Sequence, residues 1–309
     1  MTLAEPATSG AIETGVGGTT DVADLGTARP LRADVWKRFR QNRLALFGLG
    51  FIVLMVLLAL LAPVISAHLT HYYFTDRSSE YRQGPSTAHW FGTDAIGRDV
   101  FTRVIYGARV SLRIGVVATA IELAIGLVLG SVAGYAGGRL DGLLMRVTDI
   151  FFAIPYIVLA VAIATVVGRS ENSVILIIAL TAWPGIARIV RSSYLSLKRV
   201  EYVEAATALG FSRLRIMYRH ILPNALQPII VYGAISVGAV IITESALSFL
   251  GVGPQPPTPA WGLMVAEGKG NLTNAPHLLF FPGAAVALTV LALVFIGDGL
   301  RDALDPKLK

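Results

Sequence analysis

The sequence predicts an all-α membrane protein with six transmembrane helices, an expectation that rests on three observations. Apolar residues make up 54% of the 309 residues and charged residues only 15%, against about 25% charged in an ordinary soluble domain. Six stretches, at about 44–66, 111–135, 143–167, 173–190, 225–250 and 278–299, approach or exceed the roughly 20 residues needed to cross a hydrocarbon core about 30 Å thick. Their apolar character runs around every helical face, as segments surrounded by lipid and by one another require.

Residues 1–30 are rich in Gly, Thr, Ala and acidic side chains and lack apolar periodicity. They cannot bury enough surface to offset ordering entropy, so a disordered cytoplasmic tail is expected. The first apolar run begins only after about forty mostly polar residues and is too long for a secretory signal core, which makes it an anchor that stays. Residues 31–110 then hold the first transmembrane helix and an external interfacial segment, 111–302 the remaining transmembrane domain, and 303–309 a short cytoplasmic tail.

Six spans place both termini on one side. Arg32, Lys37, Arg38, Arg40 and Arg43 precede the first span, and Arg188, Arg191, Lys198, Arg199, Arg213, Arg215 and Arg219 lie around the connection between spans four and five. Basic residues mark cytoplasmic segments, so both termini are expected in the cytoplasm and the chain in a bacterial cytoplasmic (inner) membrane. Segment 67–110 dissents, being external yet carrying Arg77, Arg82, Arg98, Arg103 and Arg109. Because the basic residues cluster beside apolar spans, the net charge of +6 points to membrane orientation and not to nucleic acid. The absence of cysteine excludes disulfides, thiolate metal sites and cysteine nucleophiles.

Within the spans, Gly126, Gly130 and Gly134 form a small-xxx-small ladder that lets another helix approach the backbone closely. Pro155 in span three and Trp183-Pro184-Gly185 in span four are expected to kink their helices by releasing backbone hydrogen bonds.

The most informative stretch is Glu201-Tyr202-Val203-Glu204-Ala205-Ala206-Thr207-Ala208-Leu209-Gly210-Phe211-Ser212-Arg213, continuing to Arg219-His220-Ile221-Leu222-Pro223-Asn224. Glu201 and Glu204 suit the first turn of a short helix, Gly210 the left-handed residue that ends it, and Ser212 the N-cap of a second. Leu222-Pro223 is expected to stop that second helix, so that span five starts afresh near Asn224. Ala205, Ala206 and Gly210 leave one face of this knob nearly bare, fit for insertion into a groove on another protein, with Arg213, Arg215 and Arg219 around it.

This pattern, Glu204-Ala205-Ala206, three residues, Gly210, then Leu222-Pro223, resembles the EAA loop of ABC importer permeases. The family usually has an aliphatic residue two positions before Leu-Pro, where this chain has His220. His89-Trp90-Phe91-Gly92-Thr93-Asp94-Ala95-Ile96-Gly97-Arg98-Asp99-Val100-Phe101-Thr102-Arg103, followed by Gly107-Ala108-Arg109-Val110-Ser111-Leu112, resembles the external signature of the C-type permease of dipeptide, oligopeptide and nickel importers. Glu244-Ser245-Ala246-Leu247-Ser248-Phe249-Leu250-Gly251 and Gly297-Asp298-Gly299-Leu300-Arg301-Asp302-Ala303-Leu304-Asp305-Pro306 are similar to further stretches of that family, so the likeness covers about 32–309.

The resemblance implies a type I ABC importer permease fold with a cytoplasmic coupling helix, in which Glu201, Glu204, Ala205, Ala206, Gly210, Arg213, Leu222 and Pro223 meet an ATPase subunit. It implies a homologous B-type permease, two ATPase subunits or domains that carry ATP and Mg, an extracytoplasmic substrate-binding protein, membrane lipid around the spans, and di- or oligopeptides as cargo ahead of nickel or another solute. No cofactor and no catalytic residue is expected on this chain itself. Asp94, Gly97, Arg98, Asp99 and Arg103 belong to the external signature.

On the residues alone, positions 96–108 read as an amphipathic helix along the outer interface, with Ile96, Val100, Phe101, Val104, Ile105 and Ala108 on one stripe. Arg98 and Asp99 are then either a solvated pair or a contact for a partner. Glu122 and Glu244 fall inside spans, where a carboxylate faces a translocation pathway or bonds another helix. His68 and His71 lack a third ligand, so no metal site is read there. The loop with Pro254, Pro256, Pro257 and Pro259 is stiff, either as a simple turn or as a surface for a binding protein.

Kinked spans and intramembrane carboxylates also suit a gradient-driven secondary transporter, but such a protein has no use for the cytoplasmic knob. No H-E-x-x-H motif supports an intramembrane metalloenzyme, and Gly15-Val16-Gly17-Gly18 lacks the lysine of a phosphate loop.

Overall fold

The computed structural model describes residues 31–305. The expected tail at 1–30, the glycine run at 15–18 and residues 306–309 lie outside the described residues. Among the described residues there is no β-strand, only an isolated bridge between Thr93 and Asp99.

Five helical runs are long and apolar enough to cross a membrane. In chain order they are α2 (Arg43–Ile65) with a π-helical turn Ser66–Thr70, α3 (Val100–Ala136), α6 (Glu171–Leu197), a run from Arg213 to Phe249, and α11 (His277–Leu304). The short α1 (Leu31–Phe39) precedes them. The expected third span is a pair, α4 (Gly138–Ala153) and α5 (Tyr156–Val167), bent by 90°. Proline drives its neighbour out of the α region, and Ile154 is extended at φ −97°, ψ 126°. Pro155 therefore breaks the span where a kink was expected, and counting the pair as one span gives six. In contrast, α6 runs through Trp183-Pro184-Gly185 as a single helix.

The glycine ladder places the centre of the fold. A Cβ on Gly134 would lie 2.6 Å from Tyr194 Cβ, and one on Gly130 2.8 Å from Val190 Cβ, while one on Gly126 would collide with Ile186. Only bare backbone lets α3 lie this close on α6, burying Ile186, Val190 and Tyr194 without help from a hydrophobic drive in lipid. Around this pair, α9 (Leu222–Phe249) packs on α3 and α11, and α11 packs on α2. Arg191 holds Asp141 through two hydrogen bonds, at 2.5 and 2.7 Å, and so straps α4 to α6.

Two expectations are corrected. Residues 100–108 do not lie along the interface as a separate helix. They are the first turns of α3, which at 37 residues is about 56 Å long, far more than the roughly 30 Å hydrocarbon core. Nor does Leu222-Pro223 stop a helix. Ser212 caps a single α turn, α8 (Arg213–Arg215), which passes through π-helical turns at Ile216–Ile221 into α9 without interruption. In these wider turns the Leu222 N–H reaches back five residues to the Met217 carbonyl, which makes room for Pro223 at the next position. At the other end, α11 reaches Leu304 with Ala303 buried, two residues past the expected domain boundary at 302.

Replacing Gly130 by Leu should force α3 and α6 apart and destabilise the folded protein by about 1–3 kcal/mol, read as a lower thermal transition in detergent. Gly50→Ala, at a position with open space around it, should leave that transition unchanged.

Candidate functional site: the 201–223 knob and the buried charge cap

The knob begins with α7 (Glu201–Ala208), whose first turn carries Glu201 and Glu204 against the positive end of the helix dipole. Its inner face is sealed by Val203 and Ala206, packed with Tyr194, Ile216 and Met217. Tyr194 also donates its hydroxyl to the Met217 carbonyl at 3.2 Å, tying the knob to α6. Gly210 sits at φ +75°, and the Phe211 N–H bonds the Ala206 carbonyl at 3.2 Å, which closes the helix end as glycine termini do. The Ser212 hydroxyl accepts from the Arg215 N–H at 3.4 Å, the expected cap.

Of the residues expected on the bare outer face, Ala205 and Gly210 are exposed, but Ala206 is 4% exposed and points inward. The outer surface has side chains that the bare-face reading missed: Leu209 is 74% exposed, Leu214 66%, and Tyr202 and Tyr218 are also open. Leu214 and Tyr218, four apart on a helical run, were the available signal. Arg213, Arg215 and Arg219 are exposed as expected, and Arg215 stacks on the Phe211 ring at 4.5 Å. Behind the knob lies a cavity of about 960 Å³ lined by Tyr135, Lys198, Glu204, Arg213 and Tyr218.

The signature at 89–103 builds a different object. Gly97, at φ +82°, turns the chain so that Asp94 Oδ1 accepts the N–H groups of Ile96 and Arg98, each at 2.9 Å. Asp94 Oδ2 then receives Arg98 Nε at 2.6 Å and Arg103 Nη1 at 2.7 Å. The two guanidinium groups converge again on Glu267 Oε2, at 3.2 and 2.9 Å, from α10 (Trp261–Gly268). Burial raises the Glu267 pKa, and the Arg98 charge partly offsets this. Asp99 caps α3 through the Thr102 N–H at 2.7 Å and pairs with His89 at 2.9 Å.

Arg98 and Asp99 are thus neither a solvated pair nor partners of each other, since both are buried in separate networks. Of the five arginines in segment 67–110, Arg98 and Arg103 are paired internally with Asp94 and Glu267, while Arg77, Arg82 and Arg109 are exposed. Glu267 was missed because its partners lie more than 160 residues away.

Both intramembrane carboxylates join helices. Ser248 and Ser111 donate to Glu244, at 2.7 and 3.2 Å, and Ser111 in turn accepts the Trp261 N–H at 3.3 Å. Ser236 on α9 donates to Glu122 on α3. With Glu122 1% and Glu244 0% exposed, both carboxylates make the interhelical bond.

The family model described as binding-protein-dependent transport system inner membrane component matches residues 126–309. The chain belongs to that family. A second model, the N-terminal TM domain of oligopeptide transport permease C, matches residues 30–85 of this permease. The glutathione transport system permease protein GsiD of Shigella flexneri serotype 5b (strain 8401) is 45% identical over 276 residues, covering 89% of this chain and 90% of the relative. GsiD of Escherichia coli O6:K15:H31 is 44% identical over the same share. Among solved structures, an inward-facing form of the MetNI methionine ABC transporter superposes with TM-score 0.57 at 19% identity, over 66% of this permease and 98% of that chain. The permease therefore has the type I ABC importer fold, is a transport subunit and not an enzyme, and belongs to a family that works with ATPase and substrate-binding partners.

Arg103→Met would strip the buried Asp94 and the partly exposed Glu267 of a counter-charge and should destabilise the permease by about 3–5 kcal/mol, measured by thermal unfolding in detergent. Glu244→Gln should keep its two serine partners and transport at near the wild-type rate at equal expression. Glu244→Leu, which removes the acceptor of both serine hydroxyls, should lower the amount of folded permease.

Proposed function

We propose that this chain is the C-type permease of a peptide importer and that the 201–223 knob is its contact with an ATPase subunit. The knob itself carries the reading: a short helix, sealed on its inner face, ends on Gly210 and presents Leu209, Ala205 and Tyr202 outward within a ring of Arg213, Arg215 and Arg219. Such a surface fits an apolar cleft with an acidic rim on another protein. Glu201 and Glu204 supply the opposite charge at the helix start. Leu222 and Pro223 join it to α9.

In this reading both termini and the knob are cytoplasmic, in a bacterial inner membrane. A homologous B-type permease forms the other half of the pathway, and two ATPase subunits or domains hold ATP and Mg. An extracytoplasmic binding protein delivers the cargo to the face formed by segment 71–99 and α10. The named cargo of the GsiD relatives, glutathione, is itself a tripeptide, which favours short peptides over nickel. Closure of the ATPases moves the knob and biases the spans between two arrangements.

Gly210→Asp or Glu204→Lys should leave membrane insertion intact and uncouple ATP hydrolysis from uptake. Purified complexes of either variant with wild-type coupling ratios would contradict the docking assignment.

A further inference from the structure

On the side of the knob nearest the N-terminus, α1, α2, α9 and α11 enclose a groove of about 670 Å³ walled by Val35, Trp36, Phe39, Pro223, Ile296 and Leu300. Its position is fixed: Phe39 is buried with Ala45 and Ala303, and Arg38 Nη1 donates to the Asp305 carbonyl at 3.0 Å. Gln227 on α9 donates to the Leu304 carbonyl and ties α9 to the end of α11. Trp36 is 52% exposed and lies parallel to Phe39, with ring centroids 5.9 Å apart.

The segment 35–43 that walls this apolar slot also carries three cations, Lys37, Arg40 and Arg43, all exposed and, among the described residues, without a carboxylate partner. Asp34 is the only acid of α1. Asp298 and Asp302 are exposed on α11 and make no ion pair with this elbow. Arg43 opens a 28-residue apolar run, so the three charges lie at the level where lipid headgroups meet water.

We propose that this groove binds an anionic phospholipid of the cytoplasmic leaflet, with an acyl chain in the slot and its phosphate at Lys37, Arg40 and Arg43. The slot alone would suit any apolar occupant, whereas an apolar slot beside unpaired cations at headgroup depth selects an amphiphile with a negative head. Pro223 forms part of the wall, so the lipid touches the junction between the knob and α9 and adds to its stiffness. The leaflet, but not the site, rests on the cytoplasmic orientation proposed above.

The test uses the whole importer complex in nanodiscs of phosphatidylcholine with and without phosphatidylglycerol. Native mass spectrometry after detergent extraction should find phosphatidylglycerol retained on the wild type. The variant Lys37→Gln/Arg40→Gln/Arg43→Gln should lose at least about tenfold of that retention while its thermal transition is unchanged. Equal retention by the variant, or no preference over phosphatidylcholine, would overturn the site. A photocrosslinker at position 36 should label lipid. Labelling of a polypeptide, whether a partner or this chain's first thirty residues, would overturn it as well. Because the chain has no cysteine, Lys37→Cys reports orientation independently. Reaction with an impermeant maleimide from outside would contradict the leaflet, while lipid retention decides the groove.

Discussion

A proline placed where a loop should become a membrane span ordinarily ends one helix and lets another begin at a free angle. Here the π-helical turns at 216–221 absorb it, and everything from Arg213 to Phe249 becomes one run of 37 residues. The capped α8 turn is therefore an extension of a span, and α7 is packed onto that extension through Val203 and Ala206. In the proposed docking, a push on α7 would act on α9 through a helical run with no break. The remaining architecture follows from this continuity. The run α8–α9 lies against α3 and α11, and α3 in turn is seated on α6 by three glycines.

The opposite face is built for the reverse property. The charges of buried Asp94, Arg98 and Arg103 and of partly exposed Glu267 cancel within one cluster, joining the start of α3 to α10. Trp261 deepens the joint by donating its indole N–H to the Val104 carbonyl at 2.9 Å. A buried network of this kind adds little net stability compared with apolar packing, but breaking any member is costly. It holds segment 71–99 and α10 as one cap. The permease thus has a continuous helical run beneath the knob on one face and an ion-paired cap on the other.

Much of this was legible in local sequence. The glycine ladder, the Gly210 terminus, the Ser212 cap and the exposed arginines of the knob all follow from spacings within a few residues, and the structure places them accordingly. What was not legible depended on partners far along the chain. The amphipathic stripe at 96–108 looked interfacial because the side opposite Val104 is charged, yet that charge is met by Glu267. Ala206 and Ala205 are chemically equivalent in sequence, and only the packing of Met217 and Tyr194 decides which one faces inward. Pro155 and Pro223 carry the same local signal. The first broke its span because nothing in 154–155 compensates, and the second did not because the preceding turns widened to receive it.

The central claim is that the knob and α9 move as one body. It is tested most directly by electron–electron distance measurements between spin labels on the naturally cysteine-free chain, with one at Leu209→Cys and a second at Ile242→Cys, both exposed positions. A third label at Val147→Cys on α4 reports displacement relative to the rest of the bundle. Between the nucleotide-free and ATP-trapped complexes, the 209–242 distance should stay constant while the 209–147 distance changes. A 209–242 distance that changes with nucleotide would show that Pro223 is a hinge after all and would contradict the account.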